Sequence, residues 1–517
     1  MILKRDVYRM FEDVVGPDNI TEDPAILDSY AWRSGMMAGT TKFVPRFAAV
    51  LLPATTEQVQ GIVRLCNRRK VTFKASATGW GGSASPGIEG AIHLDLRRMN
   101  RIIEINEMNL YAVVEPYVIG AQLQAELMKR GLTYNVNGAG SQTSALPLAA
   151  GTGHGFTSQT TGLAERNVLG LEWVTPEGEI IRLGSVGSTG AWFSGDGPGP
   201  SLRSLLRGAA SASGGIGVFT KAATKVYHWP GPPSLEIEGT SPHYHPATPP
   251  ENFLLRFFSF PSTPIMVEAA RRIGESEIAL QLSHSISMLS SAIAACNEED
   301  LELLGRFRKA AQGPGFVVTL AGNSTREFEY KKRVLYQIIE ETGGRSLEEI
   351  EDQAVWTALL WRFLRMTTAI REAHRATGVW FGAMAGHNYS AIETKYIRTA
   401  ATLKDDLIDK GLLFDGDRGL IDLMVWPMEH GHRGLAEIIF RYFPNSDTMA
   451  GIEYLKEECR KVALNEHNGG PYGVAGDELQ NRFGPHYSNY HIWLRKMKKA
   501  FDPNGVAEST NYITAGG

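Results

Sequence analysis

Two successive strand–helix units, each followed by a loop of small residues, constrain the fold of this chain more than any other feature. In the first unit, a strand-like apolar run at 48–53 precedes an amphipathic helix at 55–70 and a second apolar run at 71–73. The loop KASATGWGGSASPG (74–87) comes next, and a third apolar run follows at 91–96. This order predicts a strand–helix–strand unit with the small-residue loop at its exit.

The second unit repeats the pattern. A strand-like run at 110–118 leads into an amphipathic helix at 119–131, and the glycine-rich segment NVNGAGSQTSALPLAAGTGHGFTSQTTG follows at 135–162. This segment is too long for a plain connection and predicts a functional loop. A hairpin at 168–184 and a glycine turn in SGGIGVFTK (213–221) complete this part of the chain.

The three small-residue loops together predict a cofactor site. Backbone N–H groups in such loops form anion-binding nests, so one loop can hold a diphosphate while the others line an extended cofactor. The spacing in GWGG does not match GxGxxG, and a strand rather than a helix follows it, which excludes a Rossmann fingerprint. The chain contains no GKS or GKT, which excludes a P-loop.

Composition limits the other classes of function. The chain has 517 residues, which predicts two or more domains, and its net charge of -4 argues against nucleic acid as a partner. The first residues lack the apolar core of a signal peptide, and no apolar run is long enough to span a membrane. Because Cys66, Cys296 and Cys459 form no CxxC pair, we expect no zinc site, no iron–sulfur site and no disulfide framework, and a cytoplasmic location.

Residues 43–230 resemble the FAD-binding domain of flavoproteins of the vanillyl-alcohol oxidase / p-cresol methylhydroxylase type. FVPRFAAVLLPATTEQVQGIVRLCN is similar to the family's opening strand and helix, and KASATGWGG lies where the family has its pyrophosphate loop. That loop is commonly Arg-Gly-x-Gly-Thr-Gly; Thr78 and Gly79 match it, whereas Ala75 and Ala77 replace glycines. The resemblance implies that the cofactor is FAD.

Later segments extend the resemblance. GSQTSALPLAAG is similar to a Gly-Ser…Ala-Thr-Ile-Gly-Gly run, and GGIGVFTKAATKVYHWPGP and the terminal FDPNGVAES also match, although Glu508 and Ser509 depart from the family's ending. The residues that the resemblance places at the FAD are Ala75, Ser76, Ala77, Thr78, Gly79, Trp80, Pro116, Gly140, Ser141, Leu146, Gly151, Gly153, His154, Ile216 and Val218.

The proline-rich WPGPP at 229–233 marks a linker, after which strand-like and helical runs alternate. We therefore expect an α+β fold with a two-subdomain FAD-binding domain at 1–232 and an α+β cap domain with an antiparallel sheet at 233–468. The C-terminal segment, 469–517, is expected to return to the FAD-binding domain. The resemblance implies that the cap binds a small-molecule substrate, and we expect a homo-oligomer.

A flavin oxidoreductase needs a base beside the reacting carbon, and the cap is expected to supply it. WPMEHGHRGLAEIIF (426–440) predicts a strand on which His430 and His432 share one face. We expect a catalytic role for at least one of them. A metal ion bound by both is an alternative that we do not adopt. Tyr472 matches the tyrosine of a Tyr-Arg pair that holds the phenolate in phenol-oxidising members, and Gly473 replaces the arginine.

Covalent attachment of the flavin is a separate question. A segment near 378–396 carries the link in some members, and His387 and Tyr389 there have suitable chemistry, as has His154 in the long loop. Alignment on the later KGLLF stretch instead puts the linkage position near 382–385, where no nucleophile exists. We therefore expect noncovalent FAD.

The resemblance implies hydride transfer from a small organic substrate to flavin N5. Two substrate classes stay open: an alcohol or 4-alkylphenol, as in the family itself, and a 2-hydroxy acid, as in related glycolate and lactate dehydrogenases, which the missing arginine favours. The electron acceptor is dioxygen, or a separate cytochrome or iron–sulfur partner. A flavin-free subunit of a larger complex is the non-enzymatic alternative, motivated by the alanine and proline replacements in the loops.

Overall fold

The structure is a computed structural model of the chain. It describes residues 3–31, 45–79, 84, 87–135, 140–150, 155, 157–192, 202–208, 213–240, 243–283, 293–350, 360, 377, 379–387, 396–415, 423–465, 470–471 and 474–516.

The first half of the chain builds two main sheets with flanking helices. Its strands are β1 (Ile20–Thr21), β2 (Ala49–Leu51), β3 (Phe73–Ser76), β4 (Ile92–Asp95), β5 (Ile102–Asn106), β6 (Tyr111–Val114), β7 (Leu132–Thr133), β8 (Val168–Val174), β9 (Ile180–Leu183), β10 (Val218–Lys225) and β11 (Tyr227–His228). Its helices are α1 (Arg5–Val15), α2 (Pro24–Ala31), α3 (Thr56–Arg69), α4 (Gly120–Met128), α5 (Ala145–Ala150), α6 (Ser158–Thr161), α7 (Val186–Thr189) and α8 (Arg203–Leu206).

The first sheet has the strand order β1-β2-β4-β3, and β2 and β3 both run parallel to β4. Helix α3 makes the crossover between β2 and β3. Thr55 caps this helix by accepting a hydrogen bond from the backbone N–H of Gln58, and Val59, Ile62 and Val63 form its fully buried face. These side chains share one apolar core with the sheet, which confirms the predicted strand–helix–strand unit.

The second sheet is antiparallel, with the order β5-β6-β10-β8-β9, and contains the predicted hairpin as β8 and β9. Glu172 on β8 joins the two sheets. Its carboxylate accepts hydrogen bonds from Thr56 at the start of α3 (2.7 Å), from Arg182 (2.8 Å) and from Lys221 (2.6 Å). Burial alone would raise the pKa of Glu172, but the hydrogen bonds from Lys221, Thr56 and Arg182 outweigh it and lower the pKa to about 2.

The C-terminal segment, which contains α14 (Gly476–Phe483) and α15 (Tyr490–Phe501), ends against the free edge of β3. The Phe73 N–H donates to the Val506 carbonyl (2.9 Å), and the Glu508 N–H donates to the Phe73 carbonyl (2.9 Å). The tail thereby pairs in parallel with β3 at Ala507. Glu508 also forms an ion pair with Lys74 (2.5 Å), and each side chain is only 1% exposed.

The second half of the chain builds antiparallel sheets. Its strands are β12 (Ile237–Glu238), β13 (His245–Pro246), β14 (Phe253–Ser259), β15 (Ala279–Ser283), β16 (Gly315–Ala321), β17 (Arg345–Ser346), β18 (Val379–His387), β19 (Leu423–Met428), β20 (Arg433–Tyr442) and β21 (Gly470–Pro471). Two four-stranded sheets have the orders β15-β16-β14-β17 and β19-β20-β18-β21. Their edge strands, β15 and β19, contact each other.

Four helices cover one face of both of these sheets: α9 (Thr263–Glu275), α11 (Thr325–Glu341), α12 (Ile397–Asp409) and α13 (Ser446–Asn465). One apolar core contains side chains from all four helices together with Phe316 of β16 and Phe440 of β20. A second core, which includes residues of α10 (Asn297–Ala311), joins Trp229 to Phe253. The predicted α+β fold with an antiparallel sheet in its second half is confirmed. No helix in the described ranges is both long and apolar enough to cross a membrane.

Candidate functional site

The first small-residue loop begins later than the sequence predicts. Strand β3 extends to Ser76, so Ala75 lies within the sheet opposite Leu94 and packs against the apolar core. Neither Ala75 nor Ala77 has a positive φ, so a β-carbon causes no backbone strain at either position. Gly79 has a φ of +66°, and no atom lies within 4 Å of the position of a β-carbon there. The loop thus keeps glycine where the backbone requires it.

The first loop and the long second loop meet at Thr78. Its N–H donates a hydrogen bond to Ser144 Oγ (3.3 Å), and the Ser144 hydroxyl donates to Thr78 Oγ1 (3.2 Å). The first and second small-residue loops, which the sequence predicts to form one cofactor site, are therefore neighbours in the structure. Hydroxyl and N–H groups at the carboxyl end of β3 are donors that suit the oxygens of a diphosphate.

The second loop is held against the start of α4. The Ala121 N–H donates to the Ser141 carbonyl (2.9 Å), and Gly140 adopts a φ of +103°. Leu146, on α5, and Pro116 are both buried. Residues 140–146 of the second loop therefore lie beside the start of α4 and next to the first loop.

The third turn packs into the same part of the molecule. The Trp173 indole N–H donates to the Ile216 carbonyl (2.7 Å), and Gly217 has a φ of +111° with a backbone carbonyl where a β-carbon would lie. Ile216 and Leu146 belong to one apolar cluster, so the second loop and the third turn are neighbours. Val218 begins β10 directly after the turn.

The predicted continuous strand across 426–440 is wrong at its centre. A turn separates β19 from β20, and three of its residues have positive φ: Glu429 (+50°), His430 (+57°) and Gly431 (+95°). His430 and His432 therefore lie at the tip of a hairpin, and the alternation that puts strand residues i and i+2 on one face does not apply to them.

The hairpin tip docks on α6 of the long loop. The Glu429 N–H donates to the Ser158 carbonyl (3.1 Å), and the His430 N–H donates to the Gln159 carbonyl (2.8 Å). The Glu429 carboxylate also forms an ion pair with Arg166. Helix α6 contacts β15 and β19 as well, so the long loop and both antiparallel sheets meet here.

The two histidines have different surroundings. His430 is half-buried, and its Nδ1 is buried with no hydrogen-bond partner in the part of the chain that the structure describes. His432 is exposed. The protein thus encloses the Nδ1 atom of His430 and leaves His432 open to solvent. Among the described residues, no group of three or more His, Cys, Asp or Glu side chains is placed to hold a metal ion.

Several of the predicted site residues cannot be placed. The following lie outside the described residues: Trp80, Gly151, Gly153, His154, Tyr389, Tyr472 and Gly473. His387 ends β18, where its backbone pairs with that of Gly434, and its side chain lies outside the description.

Sequence reasoning missed Ser144, His93 and the ion pair of Lys74 with Glu508. Ser144 could have been found, because a hydroxyl in SQTSA lies two residues before the predicted Leu146. His93 bonds to Ser76 across the sheet (2.9 Å), and Lys74 and Glu508 are 434 residues apart. No local sequence pattern predicts the contact between His93 and Ser76 or the ion pair between Lys74 and Glu508.

Comparison with known proteins identifies the domain in the first half. The FAD binding domain family matches residues 47–184. An uncharacterized FAD-linked oxidoreductase of Mycobacterium tuberculosis is 35% identical over 177 residues, which cover 34% of this chain and 37% of that protein. The D-2-hydroxyglutarate dehydrogenase of Stutzerimonas stutzeri is 30% identical over 231 residues, which cover 44% of this chain and 46% of that protein. The match thus spans less than half of either relative.

The similarity in fold extends over the whole chain. A crystal structure of p-cresol methylhydroxylase with substrate bound has a TM-score of 0.75 and covers 99% of this chain and 98% of that one, at 18% sequence identity. A likeness at this identity shows the fold alone. It agrees with the predicted combination of an FAD-binding domain and an antiparallel cap.

Proposed function

We propose that the chain is a flavoprotein of the vanillyl-alcohol oxidase / p-cresol methylhydroxylase type with FAD as its cofactor and that it oxidises an alcohol or a 4-alkylphenol. The observation that carries the proposal is the contact of α6, in the long cofactor-side loop, with the edge strands β15 and β19 of both cap sheets. A substrate held by the cap is thereby brought next to the cofactor. The similarity to the 4-cresol dehydrogenase flavoprotein subunit of Pseudomonas putida, which is 29% identical over 184 residues, supports this substrate class.

Each part of the chain has a distinct task in this proposal. When bound, FAD supplies the hydride acceptor. The Thr78 hydroxyl, which accepts a hydrogen bond from Ser144 and keeps its own proton to donate, would hold the diphosphate. His430, whose Nδ1 is buried with no hydrogen-bond partner in the described ranges, takes the proton of the substrate hydroxyl, and Tyr472 orients the substrate. The FAD-binding part comprises 1–232 and 469–517, with 233–468 as the cap.

The second candidate substrate is a 2-hydroxy acid. The similarity to D-2-hydroxyglutarate dehydrogenase supports it, and so does Gly473, which stands where phenol-oxidising members have an arginine. In this case electrons pass to a separate cytochrome or iron–sulfur partner. The match to an FAD binding domain argues against the flavin-free subunit.

The test exposes the FAD-loaded protein, without oxygen, to a panel of 4-alkylphenols, primary alcohols and 2-hydroxy acids. Loss of the visible flavin absorbance measures reduction of the flavin. We expect a phenol or an alcohol to bleach the flavin. Bleaching by 2-hydroxy acids alone would establish the second candidate, and a flavin that no compound reduces would contradict both.

We further propose that FAD is held noncovalently in a homo-oligomeric cytoplasmic enzyme. Acid precipitation is then expected to release flavin into the supernatant, whereas flavin in the pellet would point to His154, His387 or Tyr389 as a covalent link. Light scattering on the FAD-loaded protein measures the mass of the assembly, and a monomeric mass would contradict the oligomer.

A further inference from the structure

Ser76 and His93 form a polar pair at the carboxyl end of β3, where the first loop begins. Ser76 Oγ lies 2.9 Å from His93 Nε2. In the parallel register of β3 and β4, Lys74 lies opposite His93, and Ser76 lies opposite Asp95. The side chains of Ser76 and His93 are therefore diagonal neighbours on one face of the sheet. Ser76 is half-buried, and its strand leads directly to Thr78.

The imidazole of His93 is fixed in place and uncharged. It is 1% exposed, and the rings of Tyr30 and Phe47 pack on it with centroid distances of 5.0 and 4.6 Å. Burial lowers the pKa of His93 to about 4; Asp95 opposes this shift, and the positive charges on the same network add to it. His93 is therefore neutral at physiological pH, with one N–H and one lone pair on its ring.

The surroundings of the other ring nitrogen determine which nitrogen carries the proton. His93 Nδ1 is buried and has no hydrogen-bond partner in the part of the chain that the structure describes. A buried N–H without an acceptor is rarer in proteins than a buried acceptor without a donor. The unpartnered Nδ1 favours the tautomer with the proton on Nε2, in which His93 donates its hydrogen bond to Ser76 Oγ. The hydroxyl proton of Ser76 is then directed away from His93.

We propose that His93 is a positioning residue: it keeps the hydroxyl proton of Ser76, which the family resemblance places at the FAD, available to an oxygen of the diphosphate. The proposal rests on the FAD site of the previous section and adds a recognition element to it. A hydrogen bond to a charged phosphate is stronger than one between neutral groups, so a hydroxyl that is oriented in advance adds affinity.

The experiment measures the FAD affinity of full-length apoprotein by flavin fluorescence for the wild type, Ser76→Ala, His93→Leu, His93→Gln and the double variant Ser76→Ala/His93→Leu. Loss of one hydrogen bond to a charged group is expected to raise Kd about 10- to 100-fold in Ser76→Ala and in His93→Leu. The double variant is expected to bind no more weakly than either single one. His93→Gln places an amide N–H close to the position of Nε2 and is expected to bind within about threefold of the wild type.

Several results would overturn the proposal: wild-type affinity in Ser76→Ala, losses that add in the double variant, or equal losses in His93→Gln and His93→Leu. Thermal unfolding of each apoprotein shows whether the variant folds, and if His93→Leu does not, Ser76→Ala and His93→Gln still decide the question. A wild-type protein that fails to bind FAD would instead contradict the flavoprotein assignment itself.

Discussion

His430 and His432 are two residues apart and yet have different chemical prospects. The Nδ1 atom of His430 is buried with no hydrogen-bond partner among the described residues, and its backbone is tied to Gln159. His432 is exposed, where water solvates either protonation state. A base must be held in place at the proton that it removes, and the hydrogen bond to Gln159 fixes the backbone of His430, which suits the base that we propose.

Replacing His430 by Gln is therefore expected to slow reduction of the flavin by substrate about 100-fold or more, the usual contribution of a positioned base. His432→Gln is expected to have a much smaller effect. Anaerobic stopped-flow absorbance measures both rates on FAD-loaded protein. Equal rates in the two variants would remove His430 from the role of base.

Glu172 carries a prediction about acid stability. Its pKa is about 2 in the folded protein and near the ordinary carboxyl value when unfolded, so its stabilising effect is complete above about pH 4.5 and is lost as the pH falls toward 2. Glu172→Gln leaves Lys221 and Arg182 without their carboxylate and is expected to lower the free energy of unfolding at pH 7 by about 3 kcal/mol.

Urea denaturation at a series of pH values tests this prediction. The wild type is expected to lose stability more steeply than Glu172→Gln between pH 4.5 and 2. The control is Glu177→Gln in the exposed turn of the same hairpin, which is expected to follow the wild type. Parallel curves for the wild type and Glu172→Gln would refute the prediction.

The β19–β20 hairpin packs on helix α6 and thereby connects the two halves of the molecule. Gly162 ends α6 with a φ of +69°, and a β-carbon there would lie 2.5 Å from Glu429 Oε1 at the hairpin tip. The absence of a side chain thus lets the hairpin reach the long loop. Gly16 follows α1 with a φ of +87° and, like Gly162, an extended ψ, but the nearest atom to its β-carbon position, Asn19 Nδ2, lies at an ordinary contact distance of 3.5 Å.

Gly162→Ala and Gly16→Ala form a matched pair, because each puts a side chain at a positive φ with an extended ψ, a backbone conformation that costs about 1–3 kcal/mol. Only Gly162→Ala also pushes against Glu429. We expect Gly162→Ala to slow flavin reduction at least about tenfold, since a small misplacement of catalytic groups is costly. Gly16→Ala should retain the wild-type rate. The same rate in both variants, measured as for His430, would show that the contact between the hairpin and α6 does not position the site.

At the scale of the whole molecule, the C-terminal tail pairs with β3, the edge strand of the first sheet that leads into the first loop. The tail pairs with β3 at Phe73, and Glu508 and Lys74 are buried together one residue further along each strand. Burial opposes ionisation of Glu508, but Lys74 outweighs it, so the pKa of Glu508 lies below its ordinary value. The end of the chain therefore stabilises the strand that leads to Thr78.

Glu508→Gln leaves the ammonium group of Lys74 buried without its carboxylate and is expected to lower the free energy of unfolding by about 3–5 kcal/mol. The double variant Lys74→Met/Glu508→Leu removes both charges and is expected to recover most of that loss. Urea denaturation measures each. A double variant as unstable as Glu508→Gln would show that the ion pair is not the source of the effect.

Elements with local signals were predictable. Thr55, the apolar face that includes Val59 and Ile62, and the left-handed end at Lys70 all lie within 16 residues of sequence, and α3 formed as expected. The glycine loops were also recognisable, because positive φ at Gly79 and Gly140 demands glycine wherever the chain folds this way. The resemblance of 43–230 to FAD-binding domains rests on the same local patterns.

The hairpin at 429–432 was not predictable in this way. Glu429 and His430 have no intrinsic preference for positive φ, and their neighbours read as a strand. Hydrogen bonds to Ser158 and Gln159, more than 250 residues earlier, favour the turn.

By itself, then, the sequence determined elements such as helix α3 and the glycine positions of the cofactor loops, because capping, periodicity and φ preferences act between near neighbours. Only the tertiary structure decided which groups meet: Ser76 with His93, Glu508 with Lys74, and the hairpin tip with α6. The physical reason is that burial and electrostatic pairing depend on distance in space, and a pair such as Lys74 and Glu508 leaves no trace along the chain.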